Sequence, residues 1–140
     1  MEKEFYAEKE SDLIHISTEF LNEFKEESIF AFYAEMGAGK TTFIRYLSKA
    51  MGIEDEVSSP TYGFVNEYIS PFYGSVFHFD VYRIESEDEA YDIGMEEYLY
   101  SGDKVFIEWS ENIDNLLPES CVRITITKDD EGGRRIVAKV

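Results

Sequence analysis

The chain has 140 residues, 44% of them hydrophobic and 16% aromatic, which is enough apolar material for a packed core and too much for a disordered segment. Its 13 Lys and Arg face 30 Asp and Glu, and the resulting net charge of −17 argues against a broad nucleic-acid-binding surface, because it repels a phosphate backbone at long range. A single cysteine, Cys121, leaves no intrachain disulfide and no cysteine metal cluster. No run approaches the ~20 apolar residues that span a bilayer, and the opening residues carry no secretory signal, so a cytoplasmic location is expected.

The periodicities divide the chain into alternating elements. Residues 5–7 read as a short opening strand. Residues 11–24 place Leu13, Ile16, Phe20, Leu21 and Phe24 near a helical period. Residues 28–33 form an apolar run that reads as a buried strand. Residues 41–51 carry Phe43, Ile44, Leu47 and Met51 on one helical face, stopped by Gly52. Strands are expected over 62–69, 76–82 and 104–109, with short helices beginning near 85–91 and spanning 94–100. Residues 122–127 pair plausibly with 135–140 across a turn at 129–133, a hairpin signal. The three prolines, at 60, 71 and 118, fall in loops. The pattern predicts one α/β domain over 1–140 with a mixed, mostly parallel central sheet, flanking helices and a C-terminal antiparallel hairpin, and the glycine-rich segment 34–41 makes it P-loop NTPase-like.

The segment Ala34, Glu35, Met36, Gly37, Ala38, Gly39, Lys40, Thr41 matches G-x-x-x-x-G-K-[ST] at every defined position except the first, where alanine replaces glycine. Gly37 and Gly39 allow the backbone to approach phosphate oxygens, and successive N–H groups form an anion nest. The helix that follows turns its positive end toward the phosphates. Lys40 is expected to reach the β- and γ-phosphates of ATP or ADP, and the Thr41 hydroxyl to ligate Mg²⁺, with residues 35–42 (Glu35 to Thr42) making up the binding segment. The alternative, a glycine-rich turn that merely caps a helix, lacks a reason for the strand before it and the amphipathic helix after it.

Such a site also needs an acid near the metal, at the end of a neighbouring strand. Asp80 ends one apolar run and Glu108 ends another; either also reads as an ordinary surface acid in an acidic protein. Thr61, in Ser59-Pro60-Thr61, reads as a switch hydroxyl or as a proline turn with a capping threonine. His78 lies mid-strand and reads as a packing histidine. Trp109 packs over the site or plugs the core.

Together the motifs resemble the bacterial TsaE family, the small ATPase of tRNA threonylcarbamoyladenosine (t6A) synthesis. The matching pieces are residues 35–43, then Ser59-Pro60-Thr61-Tyr62, Asn66-Glu67-Tyr68, His78-Phe79-Asp80-Val81-Tyr82-Arg83, Ile107-Glu108-Trp109, Leu117-Pro118 and Gly133-Arg134. The phosphate loop is common to many ATPases, whereas the combination with Ser-Pro-Thr, His-Phe-Asp-x-Tyr-Arg and Ile-Glu-Trp is far more specific. The resemblance implies a mixed seven-stranded sheet and ATP hydrolysis that drives or resets a partner carbamoyltransferase complex. The implied partners are two subunits of sugar-kinase-like fold, with tRNA contacted only indirectly. It further implies that Lys40 binds phosphate, that Thr41 and Glu108 flank Mg²⁺, that Asp80 is the second essential acid, and that Thr61 is the switch threonine. Two other readings remain open on the residues alone. A small-molecule kinase would require an Arg-rich lid, for which the five arginines give little material. A nucleotide-sensing protein would bind without turnover.

Overall fold

The computed structural model describes residues 1–34, 37–58, 60 and 64–140. Seven strands, β1 (Glu2–Ala7), β2 (Ile29–Ala34), β3 (Val65–Ser70), β4 (Gly74–Asp80), β5 (Lys104–Glu108), β6 (Val122–Lys128) and β7 (Arg134–Lys139), join in one sheet with the order β1-β7-β6-β2-β5-β4-β3. The middle strands β6, β2, β5 and β4 run parallel. Antiparallel β7 and β1 extend one side and antiparallel β3 the other. The helices are α1 (Leu13–Glu23), α2 (Lys40–Ala50), α3 (Glu87–Asp92) and α4 (Met95–Leu99), with 3₁₀ turns at Glu10–Asp12 and Ser110–Leu116. This is the mixed α/β sheet that the alternation of strand and helix periods predicts.

The strand sequences explain the layering. β2 reads Ile-Phe-Ala-Phe-Tyr-Ala, and its first four residues are buried, as expected of a central strand covered on both faces. Phe30 and Phe32 point to the side of α1 and α2, and Ile29 and Ala31 to the side of α3, α4 and the second 3₁₀ turn. Phe20 of α1 is the hub of the first layer, with ring centroids 4.9 Å from Phe24, 5.5 Å from Phe43, 5.8 Å from Phe30 and 5.9 Å from Phe5. Cys121 is buried in the second layer, where the loss of solvent pushes its thiol up to about 11.

Several boundaries differ from the periodicity. The helix expected over 11–24 opens as the 3₁₀ turn Glu10–Asp12, in which the Asp12 carboxylate accepts the N–H groups of Glu8 and Lys9 at 3.0 and 3.1 Å. The strand expected over 76–82 ends at Asp80, where the Asp80 carboxylate accepts the N–H of Tyr82 at 3.0 Å and turns the chain out of the sheet. The 3₁₀ turn Ser110–Leu116 had no counterpart in the periodicity; it is broken at Ile113, with φ −132°. The β6–β7 hairpin is closed by Asp129, which accepts from the N–H of Gly133 at 2.8 Å and of Glu131 at 3.0 Å, and from the Tyr6 hydroxyl of β1.

Candidate functional site

β2 lies where the strand order turns back on itself, with β5 on one side and β6 on the other, and the glycine-rich loop leaves its C-terminal end. In parallel sheets such a switch point opens a crevice at the strand ends. Ala34 is the last residue of β2 and pairs with Ile126. Its backbone is not left-handed, so the first loop position does not demand glycine here. Gly37 and Gly39 do adopt positive φ, 81° and 102°, a conformation that disfavours a side chain. Gly39 caps α2, and its carbonyl accepts the Phe43 N–H at 2.9 Å.

Lys40 opens α2 and is 7% exposed. Its Nζ has no hydrogen-bond partner among the described residues and lies 3.4 Å from the centroid of the Trp109 ring. Burial lowers its pKa below the ordinary lysine value, and the nearby Glu108, Glu111 and Asp80 carboxylates oppose that shift. A buried ammonium facing a glycine-lined loop is a site that an anion would complete.

Thr41 and Glu108 meet across the gap between α2 and β5, where the Thr41 hydroxyl donates to Glu108 Oε1 at 2.6 Å. Glu108 is 2% exposed and its Oε2 lies 2.6 Å from Nε2 of His78. Asp80 is the register partner of Glu108 at the ends of the paired strands β4 and β5, and it is half-exposed. The structure therefore brings Lys40, Thr41, Glu108 and Asp80 to one end of the sheet. Glu35, Met36 and Thr61 lie outside the described residues. Ser58, just before the Thr61 segment, is tied to β3: its carbonyl accepts from Asn66 Nδ2 at 3.2 Å.

Three residues with no settled role at the site from sequence alone lie against it. His78 is not simply a packing residue, since its ring contacts the buried carboxylate. Trp109 is the only described non-glycine residue with left-handed backbone, φ 64°, a conformation that costs about 1–2 kcal/mol. It covers Lys40 and stacks 4.7 Å from Tyr82. Arg134, at the start of β7, donates from Nε to the Ala38 carbonyl at 2.8 Å and so braces the loop from the far side. Gly133-Arg134 was among the motifs of the family resemblance, but no role for Arg134 was legible in the sequence.

Hard oxygen ligands, one hydroxyl and one carboxylate, suit Mg²⁺, which keeps waters and phosphate oxygens for most of its shell. Consistent with that division, no cluster of three or more His, Cys, Asp or Glu that could hold a metal occurs among the described residues. On the opposite side of the loop from Glu108, a cleft of about 260 Å³ runs from Gly39 and Thr42 to Leu13, Ile136 and Arg134. Its lining mixes apolar side chains, Leu13, Phe43, Ile126 and Ile136, with the polar Lys9, Glu10 and Thr42, a combination that suits a nucleobase. A larger cleft of about 520 Å³ beyond α2 is lined by Glu10, Glu54, Asp55 and Glu56 together with Arg45 and Lys49.

Comparison with known proteins places the chain in a family. A family model described as threonylcarbamoyl adenosine biosynthesis protein TsaE matches residues 7–136. Proteins named tRNA threonylcarbamoyladenosine biosynthesis protein TsaE are among its relatives. That of Treponema pallidum is 34% identical over 112 residues, which cover 80% of this chain and 82% of that protein. That of Bacillus subtilis is 34% identical over 115 residues, covering 80% and 69%. That of Rickettsia bellii is 32% identical over 126 residues, covering 89% and 86%. The crystal structure of Bacillus subtilis YdiB shares the fold, with a TM-score of 0.77 over 99% of this chain and 84% of that one at 21% identity.

Proposed function

The chain belongs to the TsaE family, and from that premise we propose that it is a Mg-dependent ATPase subunit required for threonylcarbamoyl modification of tRNA adenosine. In this reading ATP hydrolysis drives or resets a partner carbamoyltransferase complex. The observation that carries the nucleotide part is Lys40, a buried ammonium without a hydrogen-bond partner among the described residues, set beside two glycines of positive φ. Leaving such a donor unsatisfied is costly, and the oxygens of a phosphate bound at the loop would satisfy it.

The residues divide the work. The loop from Gly37 to Thr42, with Glu35 and Met36 preceding it, cradles the phosphates, and Lys40 neutralises their outer charge. Thr41 and Glu108 hold Mg²⁺, which when bound draws charge from the phosphate oxygens. Asp80 and Glu108 orient the attacking water between them, and Thr61 senses the terminal phosphate. The cleft beside Thr42 and Arg134 would take the nucleoside. Trp109 shields the phosphate end from water. The whole chain, 1–140, acts as one domain.

The partners in this reading are the two sugar-kinase-fold subunits of the t6A-synthesis complex. The net charge of −17 favours leaving the tRNA to them. Among the described residues no helix is long and apolar enough to cross a membrane, and the proposed location is the cytoplasm.

The test is phosphate release from Mg-ATP by the protein alone and with the two partner subunits, for the wild type, Lys40→Ala and Glu108→Ala. Turnover stimulated by the partners and lost in both variants is the expected result. ATP binding without turnover under every condition would replace the ATPase with a nucleotide sensor. Transfer of phosphate to a small molecule instead of water would make it a kinase.

A further inference from the structure

Glu108 is engaged at both of its oxygens, by Thr41 at Oε1 and by His78 at Oε2, each at 2.6 Å. The His78 side chain is fully buried. It shares a face of β4 with Val76 and Asp80 and lies opposite Phe106 in register, one pleat before the pair Asp80 and Glu108. Its Nδ1 has no hydrogen-bond partner among the described residues. The carboxylate form of Glu108 accepts at both oxygens, which places the imidazole proton on Nε2. Phenylalanine and leucine fill neighbouring positions of this layer without burying a polar ring. The contact with Glu108 is what distinguishes a histidine here, since a buried polar group without a partner is unfavourable.

We infer that His78 is a positioning residue for the ATPase site: by donating to Oε2 it fixes the rotation of the Glu108 carboxylate and aims Oε1 at the Thr41 hydroxyl. A carboxylate on a free side chain rotates about its last bond, and neither Phe106 nor Ile107 offers it a donor. Outer hydrogen-bond partners of metal-binding groups typically change metal affinity or activity 10–100-fold when they are removed. The inference rests on the ATPase reading and specifies how its central acid is held.

The variants are His78→Leu, which removes the donor, His78→Gln, whose amide nitrogen reaches the place of Nε2, and His78→Asn, whose amide falls short. Three quantities are measured with the full chain: kcat with the partner subunits, the ratio of ATP affinities with and without Mg²⁺, and the thermal midpoint. His78→Leu and His78→Asn should lower kcat by 10–100-fold and flatten the Mg²⁺ effect on ATP affinity by about tenfold. ATP binding without Mg²⁺ should stay within about twofold of wild type, and His78→Gln should recover most of the loss. If His78→Leu does not fold, the Gln and Asn pair, equal in chemistry and different in reach, decides the matter. Equal behaviour of Gln and Asn, or an unchanged Mg²⁺ effect in both, overturns the inference.

A spectroscopic readout in the nucleotide-free protein separates this result from the ATPase reading. Of the two histidines, His15 is exposed, so a slowly exchanging, downfield Nε2 proton belongs to His78. That resonance should vanish in Glu108→Ala. Its absence from the wild type overturns the inference even if ATP is hydrolysed, whereas its presence together with a failure of hydrolysis leaves the pairing intact and removes only the ATPase.

Discussion

Lys40 Nζ lies 3.4 Å from the centroid of the Trp109 ring, so the cation that opens α2 rests on an aromatic face. A desolvated contact of this kind is worth about 2 kcal/mol, less than a lysine gains from a polyphosphate in a formed loop. Nucleotide should therefore draw Lys40 from the ring. Trp109 is the only tryptophan, so its emission reports the event directly. Adding ADP to the wild type should change the emission, and free Lys40→Met should already show the altered spectrum, with little further response to ADP. A wild-type spectrum indifferent to ADP at saturating concentration would show that the contact survives binding.

Asp80 has two jobs that one substitution can separate. Its Oδ1 accepts the Tyr82 N–H at 3.0 Å, which turns the chain, while its charge faces the site beside Glu108. Asp80→Asn keeps an acceptor and loses the charge. It should lower partner-stimulated phosphate release by about tenfold or more, the effect of ~1.4 kcal/mol in the barrier, with an unchanged thermal midpoint. Asp80→Ala should lose activity and also about 1 kcal/mol of stability by denaturant titration. Full activity in Asp80→Asn would reduce the residue to its turn.

Arg134 joins β7 to the phosphate loop by donating from Nε to the Ala38 carbonyl at 2.8 Å, while its Nη1 donates to the Gly132 carbonyl of its own turn at 2.7 Å. Arg134→Met keeps the stem that lines the cleft and removes both contacts. A charged hydrogen bond is worth about 1.5–3 kcal/mol, so ADP affinity measured by calorimetry should fall by about tenfold or more. Because the β6–β7 pairing does not depend on the guanidinium, the circular dichroism should be unchanged. An undiminished affinity would mean that the loop holds its shape without the brace.

Tyr6 and Asp129 tie β1 to the β6–β7 turn and set a pH window. The Tyr6 hydrogen bond, helped by the Gly133 and Glu131 N–H groups and by Arg135, holds the Asp129 carboxyl below the usual aspartate range. A depressed acid stabilises the fold above its unfolded pKa and loses that contribution as pH falls through the folded one. The same bond raises the Tyr6 phenol above 10.0, so on the alkaline side the contribution is complete below that value and is lost as pH rises through the folded one. Tyr6→Phe should thus destabilise the protein at pH 7 by urea titration, and the difference from wild type should shrink as pH drops below about 4. A difference that stays constant down to pH 2 would assign the effect to packing.

The layered sheet was legible because its strands obey simple periods. Ile-Phe-Ala-Phe, an apolar run ending at the glycine-rich segment, read as the buried strand that β2 is, and Phe43, Ile44 and Leu47 read as one side of a helix. Gly37 and Gly39 were legible as loop glycines, and both take positive φ. The pairing of His78 with Glu108 was not legible, because it depends on the register of two strands that are 30 residues apart in sequence. A shift of one residue in that register would send the imidazole to the opposite layer. Trp109 was equally hidden, for nothing in Ile-Glu-Trp-Ser predicts a left-handed tryptophan. The 3₁₀ turn Ser110–Leu116 was missed because a segment this short, broken at Ile113, has no period to read; it is held from outside by Asn112 Nδ2, which donates to the Val81 carbonyl at 2.9 Å.

Cys121 gives the protein a practical property. A thiol 1% exposed and pushed up to about 11 is almost entirely protonated at neutral pH and out of reach of maleimides. The native chain is thus a silent background for site-specific labelling. One cysteine introduced at an exposed position, Asp130 in the β6–β7 turn for instance, would carry a dye or spin probe without any need to replace a residue of the core.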